Sequence, residues 1–296
     1  MQNRKNSPGT KWTLLSLLKW TTDYFKSHGI ENPRTDAEVL LAEALGLRRI
    51  DLYIRYDQPL TDDELSRFKA MIKRRIRREP VAYITGAKEF WSMDLRVTGD
   101  VLIPRPETEL LVEAALDIIP NEAAAFRVFE IGTGSGAISL AIARERPAWQ
   151  LFASDICVKA VTVARENAER NGLKERIQFF VGNGCKPLKE DLYSYDMIVS
   201  NPPYIKTDDL PGLQPEIYLY EPRKALEGGM DGLDTVRQIV GSAHRHLNRG
   251  GHLILEIGSD QRAGVQQIIE SAGRYGSIAF FKDYSGHDRM VHARRS

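Results

Sequence analysis

Cysteine is scarce in this chain. Cys157 and Cys185 are the two present in 296 residues, too few for a disulfide framework or a thiolate metal cluster, so no metal site is expected and a reducing compartment suits the chain. Long apolar runs are missing too. No stretch approaches the roughly 18 residues needed to span a bilayer, and the polar segment Met1–Thr10 lacks the apolar core of a signal peptide. Nor does one sign of charge dominate. Lys and Arg number 41 against 40 Asp and Glu, a net charge of +1, which gives no global field for nucleic acid. No internal repeat or low-complexity tract interrupts the pattern. What survives these exclusions is a cytoplasmic globular protein with no membrane association. Its length allows one large domain, or a main domain with a smaller partner.

Helices come first. Leu14, Leu15, Leu17, Leu18 and Phe25 fall at helical spacing, and Gly29 supplies a stop. Thr35 or Asp36 is expected to cap a second helix carrying Val39, Leu40, Leu41 and Leu45, which Gly46 closes. Thr61-Asp62-Asp63-Glu64 has capping-box spacing and opens a third helix through about Arg78, before Pro80. With no strand between them, residues 1–85 are predicted to form a small helical bundle. Its densest basic run is Lys73-Arg74-Arg75-Ile76-Arg77-Arg78. That run reads either as a dock for an acidic or RNA-bearing partner, or as a solvated helix end whose cations complement the C-terminal dipole.

Between residues 86 and 105 the pattern is that of a connector. Glu89-Phe90-Trp91-Ser92-Met93-Asp94-Leu95-Arg96-Val97 alternates enough for a strand or hairpin. Pro106 then suits the first turn of a helix running through Ile119, and Glu107 and Glu109 complement its positive end. Pro104 and Pro106 hold Arg105 extended, which would aim its guanidinium at a fixed point; an exposed salt bridge is the other reading.

From Arg127 onward strands and helices alternate. Strands are predicted at Val128–Ile131, Leu151–Asp155, Ile177–Val181, Met197–Ser200 and His252–Ile257, with two more near Ser277–Phe281 and Met290–Ala293. Helices follow from Ala137 to Arg144 and from Val158 to Asn171. Interleaving of this kind means an α/β fold with a doubly wound, mostly parallel sheet, preceded here by a small all-α domain.

Two turns in the sheet carry the chemistry. Gly132-Thr133-Gly134-Ser135-Gly136 joins a strand to a helix and lets a ligand approach the backbone. Asp155 ends the next strand, the position from which an acid holds a ribose hydroxyl pair. A dinucleotide site would need G-x-G-x-x-G, and no glycine stands at the expected third position. The second turn is Asn201-Pro202-Pro203-Tyr204. Its prolines end a buried strand abruptly, leaving an amide side chain, carbonyls and a ring at the edge where open α/β sheets bind ligands. The Asn201 oxygen and the Pro202 carbonyl can together accept both hydrogens of a planar NH2 group, while Tyr204 covers its face.

The tight turn after acidic Glu130 resembles the S-adenosylmethionine site of class I, Rossmann-like methyltransferases. With Tyr83-Ile84-Thr85-Gly86, Glu89-Phe90-Trp91, Ile103-Pro104-Arg105-Pro106-Glu107-Thr108-Glu109, Val199–Ile205, Glu221-Pro222, Asp231-Gly232-Leu233-Asp234 and Leu255-Glu256-Ile257-Gly258, the chain resembles the PrmC/HemK protein-(glutamine-N(5)) methyltransferases. The resemblance runs from the N-terminal helices nearly to the last residue. Its Pro-Arg-Pro-Glu-Thr-Glu segment discriminates best, because many amino-methyltransferases share Asn-Pro-Pro-Tyr.

That resemblance implies a helical substrate-recognition domain over 1–85, a hairpin linker over 86–105 and a methyltransferase domain over 106–296. The domain's sheet would end in an antiparallel strand near Met290–Ala293. It implies that Glu130, Gly132, Thr133, Gly134, Ser135, Gly136, Asp155, Asn183 and Asn201 bind S-adenosylmethionine. Asn201, Pro202, Pro203, Tyr204, Phe90 and Arg105 would hold the substrate, with Asn201, Pro202 and Tyr204 catalytic. The acceptor would be the glutamine of the Gly-Gly-Gln motif in bacterial class I peptide chain release factors, with no stable nucleic-acid binding. The chain departs from the family at Glu130, where Asp is common, and at Asn183, where an acid often stands. Three alternatives differ in acceptor or class: a ribosomal-protein glutamine methyltransferase, a nucleic-acid exocyclic-amine methyltransferase, and a non-catalytic adaptor that keeps the fold.

Overall fold

The computed structural model describes residues 12–119, 125–186, 188 and 194–296; the polar segment Met1–Thr10 lies outside them. The chain divides into two compact units, one comprising Met1–Gly86 with Pro215–Tyr220, the other Ala87–Gln214 with Glu221–Ser296. No helix among the described residues is long and apolar enough to cross a membrane.

Local capping sets the helices of the first unit. Helix α1 (Leu14–Ser27) starts where the Thr13 hydroxyl accepts the Ser16 N–H, and α4 (Asp62–Arg75) starts at the expected Thr61/Glu64 capping box. Helix α2 (Pro33–Leu45) begins earlier than Thr35 or Asp36 would place it. Pro33 supplies the φ of a first turn and needs no hydrogen-bond acceptor for its nitrogen, so the helix starts there. Short helices α3 (Asp51–Ile54) and α5 (Val81–Thr85) complete the run. The core is Leu14, Leu18, Phe25, Leu40, Leu41 and Phe68, all 2% exposed or less; burying each such side chain is worth about 1.5–3 kcal/mol.

The basic run is not a solvated end throughout. Helix α4 stops at Arg75, and Arg78 takes a left-handed φ of 71°. Arg75 is buried and pairs with Asp36 at 2.7 Å and Glu216 at 2.8 Å, while Arg78 pairs with Glu216 at 2.9 Å and donates to the Gly29 carbonyl. Arg74 pairs with Glu79. Arg75 and Arg78 hold the short helix Pro215–Tyr220 onto its own unit, where Tyr220 also donates to the Arg77 carbonyl. Arg75→Ala would strip the half-buried Asp36 carboxylate of its cation and leave Glu216 with Arg78 alone, so we expect a loss of about 3 kcal/mol, the lower end for breaking a buried ion pair. Thermal denaturation of the variant checks it, and an unchanged melting temperature would refute the assignment.

In the second unit, strands β1 (Ala87–Phe90) and β2 (Met93–Arg96) form the expected antiparallel hairpin. The helix foreseen from Pro106 to Ile119 splits into a 3-10 turn, Pro106–Thr108, and α6 (Glu109–Ile118). Then come β3 (Arg127–Ile131), α7 (Ala137–Glu145), β4 (Gln150–Asp155), α8 (Val158–Arg170), β5 (Ile177–Val181) and β6 (Tyr195–Ser200). The helix Pro215–Tyr220 is α9; α10 (Asp234–Ala243), β7 (Leu247–Glu256), α11 (Arg262–Ala272), β8 (Tyr275–Lys282) and β9 (Asp288–Arg295) close the chain. Seven strands lie in the order β5-β4-β3-β6-β7-β9-β8; β9 runs antiparallel to both its neighbours, and the other pairings are parallel.

Alternation along the strands feeds two cores. Val128, Leu151, Met197, Val199 and Ile254 face α6, α7 and the buried side of the hairpin, whereas Phe129, Phe152, Ile198, Leu253 and Leu255 face α10 and α11. This is the double winding: each sheet face is covered, so the strands read as continuous apolar runs. The chain steps outward from β3 through β4 to β5, then returns to lay β6 on the other side of β3. The crevice between β3 and β6 is therefore a topological switch point, where such sheets bind ligands.

Candidate active site

At the carboxyl end of β3 the chain turns through Gly132, Gly134 and Gly136, with φ of 76°, 53° and 86°. Those values favour glycine. The turn is tied to β4 by the Gly132 and Thr133 N–H groups, both donating to the Ser154 carbonyl. Glu130, itself buried, fastens it from below: one carboxylate oxygen accepts from the Thr133 hydroxyl at 2.8 Å, the Ser139 N–H at 3.2 Å and the Ser139 hydroxyl. Burial pushes the Glu130 carboxyl up to about 7, against the hydrogen bonds from Ser139 and Thr133 that favour its charged form. Asp155 at the end of β4 accepts from the Gly134 N–H at 2.9 Å and the Cys157 N–H at 2.8 Å, and burial raises its pKa as well. Asn183, beyond β5, lines the same cavity from an exposed position.

Across the switch point, β6 ends at Ser200, whose hydroxyl donates to the Ile131 carbonyl at 2.7 Å and so ties the two turns together. Asn201 follows. Its side-chain NH2 donates to Thr108 Oγ1 at 3.1 Å, and the Thr108 hydroxyl donates to Glu256 Oε2 at 2.7 Å. Tyr204 points its hydroxyl at the other Glu256 oxygen, 3.4 Å away. Burial pushes the Glu256 carboxyl up to about 7, opposed by the Thr108 hydrogen bond and the Arg289 charge. Behind the turn, the buried Gln261 amide donates to the Tyr204 and Gly232 carbonyls and accepts from the Gly258 N–H. Thr108, Ser200 and Glu256 stand in the motifs read from the sequence, yet nothing there gave them a role; Gln261 drew no attention.

Both turns open on one cavity of about 1070 Å³, large for a ligand site of roughly 300–1,000 Å³. Glu130, Gly132, Thr133, Gly134, Ser135, Asp155, Asn183, Asn201, Pro203 and Arg105 line it. Gly136 does not: a methyl group there would meet Leu140 and Ala164 at 3.1 and 3.2 Å, so this glycine lets α7 pack on α8. By contrast, a methyl on Gly132 or Gly134 would meet nothing within 4 Å. Apolar Ile156, 56% exposed, sits on the cavity wall next to Asp155. An acid, bare backbone and an apolar side chain in that order fit a nucleoside, with its diol on the acid and its base on the apolar surface.

The sequence matches the PrmC N-terminal domain over residues 16–86 and the methyltransferase small domain over residues 107–212. A release factor glutamine methyltransferase of Geobacter sulfurreducens is 44% identical over 96% of this chain and 97% of its own length. One from Rhodopirellula baltica is 39% identical over 99% of each. The chain belongs to the release factor glutamine methyltransferase family. A solved methyltransferase from Pyrococcus furiosus, 21% identical, superposes with a TM-score of 0.52 over 75% of this chain and 98% of that one, which shows the shared Rossmann-like fold.

Besides Gly136, three of the site residues expected from sequence, Phe90, Pro202 and Tyr204, are not among the lining residues, and a fourth, Arg105, lines the cavity but is already paired. Phe90 is 2% exposed in the core beneath the hairpin, with Met93 and Leu95; as the last residue of β1 its side chain faces inward, so it is packing and not a cavity wall. Arg105 does reach the cavity, but its guanidinium pairs at 2.5 Å with Glu221, whose side chain is 1% exposed. The salt-bridge reading thus holds with a buried partner in place of an exposed one, and the other Glu221 oxygen accepts from the Ile103 N–H. Pro202 is buried, and neither it nor Tyr204 is among the lining residues.

Glu130 carries a pH prediction. Its folded-state value of about 7 lies above the ordinary 4.5, so the folded protein holds this proton more tightly than the unfolded chain does. The resulting stability is fully present below about 4.5 and is lost as pH rises through about 7. The change is on the order of 3 kcal/mol at most. The urea midpoint should therefore fall between about pH 4.5 and 7, and Glu130→Gln should make that fall shallower, with Glu256, which burial also raises to about 7, supplying the remainder; an equally steep fall in the variant would show that Glu130 holds no such proton.

Proposed function

We propose that this chain transfers a methyl group from S-adenosylmethionine to the side-chain nitrogen of a glutamine, the one in the Gly-Gly-Gln motif of bacterial class I peptide chain release factors. The observation that carries this reading is the placement of Asn201 on the same cavity as the glycine turn and Asp155. The names of relatives about 40% identical over nearly their whole length support the acceptor. Residues 1–85 would recognise the release factor, 86–105 would connect, and 106–296 would carry out transfer. The reaction would take place in the cytoplasm, with no membrane or stable nucleic-acid partner.

Gly132 and Gly134 would present bare backbone to the cofactor, Asp155 would take its ribose hydroxyls, Ile156 its base, and Asn183 the base's amino edge through an uncharged carbonyl. Bound there, S-adenosylmethionine supplies an electrophilic sulfonium methyl. The difficulty lies with the acceptor, because a carboxamide nitrogen delocalises its lone pair into the carbonyl. Asn201 Oδ1 and the Pro202 carbonyl would accept its two N–H bonds, turn the lone pair toward the methyl and stabilise the positive charge that develops on nitrogen. Tyr204 would exclude water from behind. No general base is needed: once methylated, the nitrogen is acidic and releases its proton to water.

The test is an assay with labelled S-adenosylmethionine against purified release factors, ribosomal proteins, tRNA and DNA. Label on the Gly-Gly-Gln glutamine is the expected result. Label confined to ribosomal protein or nucleic acid would replace the acceptor, and no cofactor binding by calorimetry would leave a non-catalytic adaptor.

A further inference from the structure

An amide side chain works as an acceptor toward substrate only if it sits one way round, because its two ends differ in polarity and hardly at all in shape. In the Asn-Pro-Pro-Tyr turn something must therefore set the orientation of Asn201. We propose that Thr108 and Glu256 are positioning residues that do so, by a hydrogen-bond chain of fixed direction running from Asn201 through Thr108 to Glu256. This rests on the proposed function insofar as Asn201 meets the substrate.

The direction follows from the donors available. Glu256, 2% exposed at the end of β7, can as a carboxylate only accept. Thr108, 4% exposed, has a single hydroxyl proton and gives it to Glu256 Oε2 at 2.7 Å. Toward Asn201, 3.1 Å away, the Thr108 oxygen is left with lone pairs alone. The Asn201 group that meets it must be the NH2, so Oδ1 takes the opposite position. With Glu256 ionised, as it is above the value of about 7 to which burial raises it, the chain's polarity is thus fixed at its buried end by a group that only accepts, and transmitted through a group with one proton to give. Tyr204 acts in the same sense, its hydroxyl directed at Glu256 Oε1, so both oxygens of the acid face donors from the site.

Glu256→Gln breaks this logic without removing volume. Its new NH2 can donate to Thr108, which frees the Thr108 proton to point at Asn201 and accommodates the reversed amide equally well. Thr108→Val removes the link while keeping the shape; Thr108→Ser restores the hydroxyl. In methylation assays on the release factor, Thr108→Val and Glu256→Gln should each lower kcat by about 100-fold, the scale of losing one oriented transition-state hydrogen bond. KM and cofactor affinity should change little, and Thr108→Ser should recover most of the loss. A second readout needs no substrate: the Asn201 side-chain NH2 protons should exchange slowly with solvent in the wild type and in Thr108→Ser, and faster in the other two variants by NMR. Normal kcat in Thr108→Val or Glu256→Gln would overturn the proposal. If the wild type methylates no release factor, the reading of the substrate fails, and the amide signals alone decide: equal exchange in all four proteins would overturn the chain, and the expected contrast would uphold it.

Discussion

Asn201→Ala is expected to lower kcat by about 100- to 1,000-fold, the range for removing a preorganised hydrogen-bonding group that acts in the transition state, while the dissociation constant for S-adenosylmethionine stays within a few-fold. The argument is one of position. Asn201 stands one residue beyond β6 and borders the cavity, but the glycine turn and Asp155, the groups suited to the cofactor, belong to β3 and β4 and are tied to each other by the Gly134 N–H. Removing the amide leaves that cofactor side intact. It takes away the oxygen that would accept an N–H of the substrate, together with the charge stabilisation that grows as the nitrogen becomes methylated. Such an interaction is stronger in the transition state than in the ground state, so its loss appears in kcat. Single-turnover methylation and calorimetry, run on the same preparation, separate the two effects. Turnover near that of the wild type would remove Asn201 from the reaction.

What could be read from sequence was what local geometry dictates. The Thr61–Glu64 capping box lies within one helical turn, and its hydrogen bonds form where the spacing places them. The glycine turn follows from strand-to-helix connectivity, and Asp155 from its place one strand later. Contacts between distant segments stayed hidden for the opposite reason. Thr108 meets Asn201 across 93 positions and Glu256 across 148, and no periodicity within either segment encodes the meeting. The basic run shows the same limit with the opposite sign. Residues 73–78 look like a solvated helix end because the acid that draws Arg78 inward, Glu216, lies 138 positions away. Phe90 shows a subtler limit: a family motif gives it a substrate role, but the pleat of β1 turns its side chain into the core.

Gly232→Ala should damage both stability and turnover, and Gly286→Ala serves as its control. Both glycines hold left-handed φ, 77° and 84°, so both variants bear the cost of a Cβ in that region, about 1–2 kcal/mol. Around Gly286 a methyl group would meet nothing within 4 Å, whereas at Gly232 it would lie 2.5 Å from Gln261 Nε2 and closer still to the Tyr204 carbonyl oxygen. Those are the two ends of the hydrogen bond that clamps the back of the Asn-Pro-Pro-Tyr turn. Neither can retreat cheaply, since Gln261 is buried and the Tyr204 oxygen is backbone. The Gly232 variant should therefore lose a further 1–3 kcal/mol or so to overpacking. If the clash is relieved by shifting the turn by about 1 Å, kcat should fall by about 100-fold. Chemical denaturation and turnover of the two variants check the pair. Should Gly232→Ala melt like Gly286→Ala and methylate at the wild-type rate, the turn does not depend on its close packing against Gly232.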